Sequence, residues 1–378
     1  MTSSLAPDAE TLVIGGGVVG LAIAAECAIA GQETYVIERN NAIGQEISSR
    51  SSEVIHAGLY YPAQSLKARL CVEGRQRLYA YAKDRNVAFR KLGKLVVATS
   101  PTEAETLNKI AEKAKINGVD DIRFMDAADI HALEPEIAAV KGLFSPSTGI
   151  IDSHGLMQAL ETDVTDHRGT VVLGTAVRHV RRRPDDLFEI EMSTGCEIAN
   201  VTARNLYVAA GLGMGELGPR LPRAAAYTPP PLYFARGHYF ALRGGRPFKR
   251  LVYPVPVEGG LGTHLTLDLE GNVRFGPDVQ WIDRVDHAFE EDNGLRLRQF
   301  EQSIRRYWPS LPDGALTPDY TGIRPKTSRQ GEPARDFEIH GPKDHGIPGL
   351  VALYGIESPG LTSCLAIAKY CVTLAREC

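Results

Sequence analysis

Residues 11–38 read TLVIGGGVVGLAIAAECAIAGQETYVIE. The first four are a short apolar run suited to a buried strand, and a glycine turn comes directly after. Residues 21–30 are Ala-rich and helical in character, Gly31 closes them, and residues 34–37 form a second apolar run that ends at Glu38. Gly15, Gly17 and Gly20 fit G-x-G-x-x-G in its full context of strand, turn, helix, strand and acid. Gly15 permits the tight turn, Gly17 lets backbone approach a pyrophosphate, and Gly20 lets the helix pack closely on the strand. The helix start then offers free N–H groups and the positive end of its dipole to phosphate. Glu38 lies 18 positions after Gly20, where a carboxylate accepts from both hydroxyls of an adenosine ribose. An acid there favours NAD or FAD over NADP.

The rest of the composition narrows the class. The chain has 378 residues, 43% apolar and 23% charged, with a formal net charge of −4. Such a balance fits a globular protein of about two domains and argues against a nucleic-acid partner, which calls for a strongly basic face. Cys27, Cys71, Cys196, Cys364, Cys371 and Cys378 form no C-x-x-C pair, so reduced thiols and no metal are expected. No apolar run has the length of a membrane span, and the first ten residues lack the character of a signal peptide. A cytoplasmic location is expected. The basic run Arg181, Arg182, Arg183 reads as a surface turn, with peripheral contact to an anionic membrane as its alternative. Residues 102–118 read as a solvated helix of Glu and Lys.

The choice between NAD and FAD rests on the residues after Glu38. Residues 48–61, SSRSSEVIHAGLYY, are too polar for another strand–helix repeat. Further nucleotide-domain signals come much later: NLYVAAG at 205–211, the strand LVALY at 350–354, the turn GIESPG at 355–360, and a helix over 361–376. This discontinuous layout resembles the D-amino-acid oxidase/glycerol-3-phosphate dehydrogenase superfamily of FAD enzymes. The resemblance implies an α/β fold, with a Rossmann-like FAD-binding domain and a second, sheet-based substrate domain. The implied boundaries are 1–85, 145–228 and 316–378 for the first and 86–144 and 229–315 for the second. It implies that Ser48, Ser49, Arg50 and Ser51 run along the pyrophosphate and ribityl chain, and that His56 arrives near the flavin ring. Gly360, Leu361 and Thr362 would lie at the flavin pyrimidine. Val18, Val19, Arg39, Val177, Ala210, Gly211 and Arg324 complete the expected contacts.

Within the superfamily, SSRSSEVIHAGLYYPAQSLKARLCVEG resembles the start of L-2-hydroxyglutarate dehydrogenases. FRKLGKLVVA (89–98), SPSTGIIDSHGLMQAL (145–160), ARGHYFAL (235–242), YPVP (253–256), GTHLTLDLEGNVRFGPD (262–278), GIRPK (322–326) and GIESPGLTSCLAIAKY (355–370) resemble stretches of the same family in order. That resemblance implies non-covalent FAD and oxidation of a small L-2-hydroxy acid to its 2-oxo acid, with hydride transfer to flavin N5.

Three tasks then need residues. Arg324 matches the α-carboxylate position, since a guanidinium pairs with both oxygens. Arg236 is a candidate for a second carboxylate, and Tyr253 a candidate donor to the same acid. His56 is the first choice of base because imidazole titrates near neutrality, with His238 and His264 as rivals on the substrate domain. A D-amino-acid or secondary-amine (glycine/sarcosine-type) oxidase, or a non-catalytic flavoprotein, are the alternatives. Oxygen, a quinone or a flavoprotein partner would each serve as electron acceptor.

Overall fold

A computed structural model describes residues 6–256, 262–290 and 292–376. Cys378 and the first five residues of the chain lie outside the described residues. The chain separates into two units: Met1–Ser49, Ser153–Phe234 and Arg324–Cys378 form one, and Arg50–Asp152 and Ala235–Ile323 the other.

In the first unit, strand Ala9–Ile14 lies between Thr34–Ile37 and the end of Glu197–Val208, all parallel, with Leu12 opposite both Tyr35 and Leu206. Thr170–Val172 and Leu350–Tyr354 extend the parallel set on its two sides. An antiparallel hairpin, Thr175–Arg182 with Phe188–Thr194, pairs with the first half of Glu197–Val208, and Glu338–His340 pairs with Leu350–Tyr354. Strands buried on both faces read as unbroken apolar runs, which is why TLVI and LVALY were legible.

Helix Val18–Ile29 packs against helices Ser153–Asp166 and Gly360–Leu374. Its small residues allow this. A Cβ at Gly20 would fall 1.9 Å from the Gly15 carbonyl oxygen. Gly15 adopts φ +108°, and a Cβ there would fall 2.4 Å from the carbonyl oxygen of Ala209. The glycine pattern is therefore a steric requirement of the turn itself.

Among the described residues, the second unit holds a separate three-stranded sheet and is built on a nine-stranded mixed sheet. Its path runs Gln280–Ile282, Tyr233–Leu242, Val273–Phe275, Leu265–Leu267, Leu251–Pro254, Lys94–Ala98, Lys141–Ser145 and Arg123–Asp126, with Leu316–Lys326 also pairing to Tyr233–Leu242. One core gathers Leu95, Val97, Val252, Phe275 and Trp308; another gathers Val96, Ala98, Leu107, Ile110 and Ala114. Alternation along Lys94–Ala98 thus feeds two cores from one strand. Helix Pro101–Ile116 buries Leu107, Ile110 and Ala114 and exposes much of the remainder, in keeping with its charged sequence.

The boundaries differ from the sequence expectation. Residues 50–85 cluster with the substrate-type unit, because Val54–Ile55 pairs with Gly149–Ile151, which also pairs with Phe89–Arg90. Residues 145–152 and 316–323 move with them, and residues 229–234 belong to the first unit. The basic run is also less free than its sequence suggests. Arg182 pairs with Asp186 and lies 4.5 Å over the Phe188 ring, and Arg183 pairs with Asp185. These local pairs engage two of the three arginines. Among the described residues no helix is long and apolar enough to cross a membrane.

Replacing Gly20 with Ala forces the helix off the strand. Overpacking of this kind costs about 1–3 kcal/mol. The expected result is a lower Tm together with loss of flavin during gel filtration; a variant that retains both would show that the turn yields more readily than its geometry indicates.

Candidate active site

In the first unit, the turn after Ala9–Ile14 and the acid after Thr34–Ile37 are already in register. Glu38 is buried, its Oε2 accepts from the Gly16 N–H at 2.7 Å, and its Oε1 accepts from the Asn40 backbone and side-chain N–H groups at 2.8 Å. The hydroxyl of Ser48 accepts from the Val18 N–H at 3.0 Å, and a Cβ at Gly17 would sit 3.1 Å from that oxygen. Val19 and Gly20 come next on the same first turn. Ser49 donates to the Glu46 carbonyl, and Arg39 is paired with Glu46. Val177 sits at the irregularity in strand Thr175–Arg182, while Ala210 and Gly211 lie just past the end of Glu197–Val208, with Gly211 at φ +51°. Helix Gly360–Leu374 carries no side-chain cap at its start, which comprises Gly360, Leu361 and Thr362. A Cβ-free turn, an oriented carboxylate and an uncapped helix start fit the diphosphate, ribose and electron-rich edge of FAD.

The second unit assembles a different cluster around residues 50–61. Backbone carbonyls of the segment are pinned one by one. The Cys71 thiol donates to the His56 carbonyl, Arg75 to that of Ala57, and the Asn117 amide to those of Gly58 and Tyr61. Upstream, Arg50 donates to the Thr321 carbonyl at 3.3 Å, Tyr320 to the Ser51 carbonyl at 2.6 Å, and the Ser51 hydroxyl accepts from Glu53 N–H. Ser52 and Tyr239 share a 2.8 Å hydroxyl bond, and Tyr239 stacks on Tyr320 with centroids 4.4 Å apart. A Cβ at Gly322 would fall 2.3 Å from the Arg50 carbonyl oxygen, so glycine is what lets this segment reach the strand. Arg50 and Ser51 therefore carry structural bonds that the phosphate expectation did not include.

At the centre lies Lys94, only 1% exposed. Its Nζ is 4.8 Å from the Tyr60 ring centroid and 4.6 Å from that of Tyr253. Tyr253 in turn stacks on His264 at 3.6 Å and 7°. No carboxylate is paired with Lys94 among the described residues. Burial pushes its ammonium from 10.5 down to about 7. Burial, and then the charge of Lys94, push His56 from 6.5 down to about 3. Burial raises the Tyr60 and Tyr253 phenols, which keeps them protonated as donors, and raises the Cys71 thiol to about 12.

Two expected site residues go elsewhere. Arg236 is fully buried, and its five donors are spent on Gln280, Glu290 and the carbonyls of Asp286 and Ala288. It cannot grip a substrate carboxylate without breaking that set. His238 is also fully buried; its Nδ1 lies 2.9 Å from Asp278, which takes Arg296 as well, and its ring meets Phe289 edge-on. Side chains alternate across a strand, so Arg236 and His238 face away from Tyr239. This packing fixes the His238 ring and leaves its buried Nε2 without a partner among the described residues. His264 and Tyr253 do reach the cluster. Arg324 is half-buried near the end of Leu316–Lys326. Lys94, Tyr60, Ser52, Tyr239 and Tyr320 were not singled out from the sequence. No local signal marks Lys94, since a lysine heading the apolar run KLVVA reads as the solvated start of a strand.

These features, a dinucleotide cradle in one unit and a Lys–His–Tyr cluster in the other, define a flavin-type oxidoreductase. The chain belongs to the FAD dependent oxidoreductase (DAO) family, whose model matches residues 10–374. It is 41% identical to the mitochondrial L-2-hydroxyglutarate dehydrogenase of Arabidopsis thaliana, over 96% of this chain and 82% of that one. It is 28% identical to the Caenorhabditis elegans protein of the same name, over 96% and 92%, and 27% identical to the L-2-hydroxyglutarate dehydrogenase of Salmonella houtenae, over 96% and 92%. Among solved structures it resembles FAD-bound L-α-glycerophosphate oxidase from Mycoplasma pneumoniae, with TM-score 0.86 and 23% identity over 97% and 94% of the two chains. Glycine oxidase from Geobacillus kaustophilus has TM-score 0.80 and 17% identity over 98% and 95%. At such identities these two speak to the fold.

The buried ammonium has a measurable cost. Lys94 titrates near 10.5 when unfolded and about 7 when folded, so between those values the unfolded chain binds more protons and stability rises with pH. Lys94→Met should accordingly melt above the parent protein at pH 6, and the gap should shrink as pH climbs from 7 to 10. A gap that does not change with pH would mean that the ammonium is not desolvated.

Proposed function

We propose that this protein is an FAD-dependent L-2-hydroxyglutarate dehydrogenase, oxidising the hydroxy acid to 2-oxoglutarate. The carrying observation is the cluster in which a base, His56, lies beside a buried cation and two protonated phenols, in a chain whose nearly full-length relatives bear that name. Bound FAD supplies the acceptor for the C2 hydride. Arg324 holds the α-carboxylate through its planar fork. His56 receives the hydroxyl proton on its ring, and with a folded value of about 3 it is neutral across the physiological range. The expectation of a histidine titrating near neutrality therefore gives way to a neutral imidazole that is ready to accept but weakly basic. Tyr253 donates a hydrogen bond to an anionic oxygen of the acid. FAD is held without a covalent bond, by the Gly15–Gly20 turn, Glu38, Ser48 and the start of helix Gly360–Leu374.

Acid precipitation of the yellow protein should leave intact FAD in the supernatant. Colour confined to the pellet would contradict the non-covalent assignment.

In anaerobic single-turnover experiments L-2-hydroxyglutarate should bleach the flavin, whereas glycine, sarcosine and D-alanine should not. His56→Asn keeps a polar side chain of similar reach but does not accept the proton. It should slow bleaching by roughly 10²–10⁴-fold while FAD stays bound. A variant that bleaches as fast as the parent would reduce His56 to a residue that merely shapes the site.

A further inference from the structure

Lys94 is unusual among the buried charges of this chain. Arg236 and Arg296 are matched by acids or carbonyls within their own unit, and Lys326 sits 2.7 Å from Glu357. Lys94 instead meets aromatic faces and a thiol that burial keeps neutral. The other cations near the cluster are engaged. Arg274, which lies over the Tyr320 ring, pairs with Asp319 and Asp268; Arg75 is held by Ser147 and the Ala57 carbonyl. A buried ammonium with no counter-ion among the described residues remains a cost until an anion joins it. Meanwhile the guanidinium that the sequence offered for a second carboxylate, Arg236, is spent and faces away from Tyr239.

We propose that Lys94 is the seat of the substrate's second carboxylate, gripping it together with the phenol donors of Tyr60 and Tyr253, and that it makes the site selective for L-2-hydroxy dicarboxylates over monocarboxylates. The proposal rests on the hydroxy-acid reading above and adds the residue that decides which acid is taken. The ring faces of Tyr60 and Tyr253 meet the cation, and their hydroxyls, which burial keeps protonated, have the polarity to meet an anion. Seating a carboxylate there also offsets the positive charge that disfavours imidazolium at His56. Binding of the correct acid and basicity of the proton acceptor are thereby linked.

The test uses the FAD-loaded protein and two non-reacting probes, glutarate and butyrate, titrated against the flavin absorption band. The parent should bind glutarate more tightly, and Lys94→Met should weaken glutarate by at least tenfold while butyrate shifts by less than about threefold. With substrates, the ratio of kcat/KM for L-2-hydroxyglutarate over L-2-hydroxybutyrate should fall by tenfold or more. Equal losses on both probes, or glutarate binding as tight in the variant as in the parent, would overturn the assignment. A measurement on the parent alone covers the case in which the variant sheds its flavin. The groups facing Lys94 are His56 and Tyr60 on the segment after Val54–Ile55, Cys71 on helix Leu66–Asp84, and Tyr253 on Leu251–Pro254. None of these four groups loses or gains charge between pH 6 and 9, so glutarate affinity should drop as pH rises through about 7 while butyrate affinity stays level. A level glutarate profile would likewise overturn it. Because glutarate is not oxidised, these titrations judge Lys94 separately from the reaction; failure of L-2-hydroxyglutarate to bleach the parent would instead sink the functional reading.

Discussion

Burial of one ammonium group, that of Lys94, constrains the whole of the second unit's cluster. A charge at 1% exposure must be offset by something, and here the offset comes from aromatic faces at 4.6 and 4.8 Å. Cation–π contacts contribute on the order of 1–2 kcal/mol each when desolvated, well short of the cost of stripping water from an ammonium. The remaining imbalance shows in the pull on Lys94 itself and on His56. It also explains why the segment bearing His56 and Tyr60 is pinned by Cys71, Arg75 and Asn117 through its carbonyls. A segment free to swing out would hydrate the lysine and dissolve the arrangement.

The nucleotide half was legible in the sequence because its constraints are local. A turn that excludes Cβ atoms, a helix that must approach a strand and an acid at the end of the next strand lie within residues 11–38, and each leaves a residue type at a fixed spacing. The C-terminal strand, turn and helix were legible for the same reason. The domain boundaries were less so, since pairing of Val54–Ile55 with Gly149–Ile151 joins segments nearly a hundred residues apart and has no local signature.

The candidate site was legible only in part. His56, Tyr253 and His264 stand in polar or aromatic surroundings that advertise chemistry. Arg236 and His238 advertise it equally, in ARGHYFAL, but strand alternation turns them to the opposite face from Tyr239, where Gln280, Asp278 and Glu290 consume them. A sequence gives the alternation but not which face meets the cluster. Lys94 was hidden for the converse reason. A lysine in front of LVVA reads as the solvated start of a strand, and only the position of Tyr60 and Tyr253 over its ammonium reveals that it is enclosed. Residue type alone therefore overstated the arginine and understated the lysine.

The weak basicity of His56 bears on how such a site would choose its substrate. A base held far below its ordinary value is a poor proton acceptor in the resting protein, and part of that depression comes from the neighbouring ammonium. A dicarboxylate that places an anion on Lys94 lifts the electrostatic part of that depression, the smaller of its two causes, whereas a monocarboxylate leaves the ammonium uncompensated. Discrimination would then fall on the reaction step as well as on binding, since interactions that strengthen as the proton moves raise turnover itself. The groups that burial penalises in the empty protein would in this way be those whose interaction with substrate is most favourable. That arrangement places the cost in the fold's stability, where a large hydrophobic core can bear it, and the gain in the transition state.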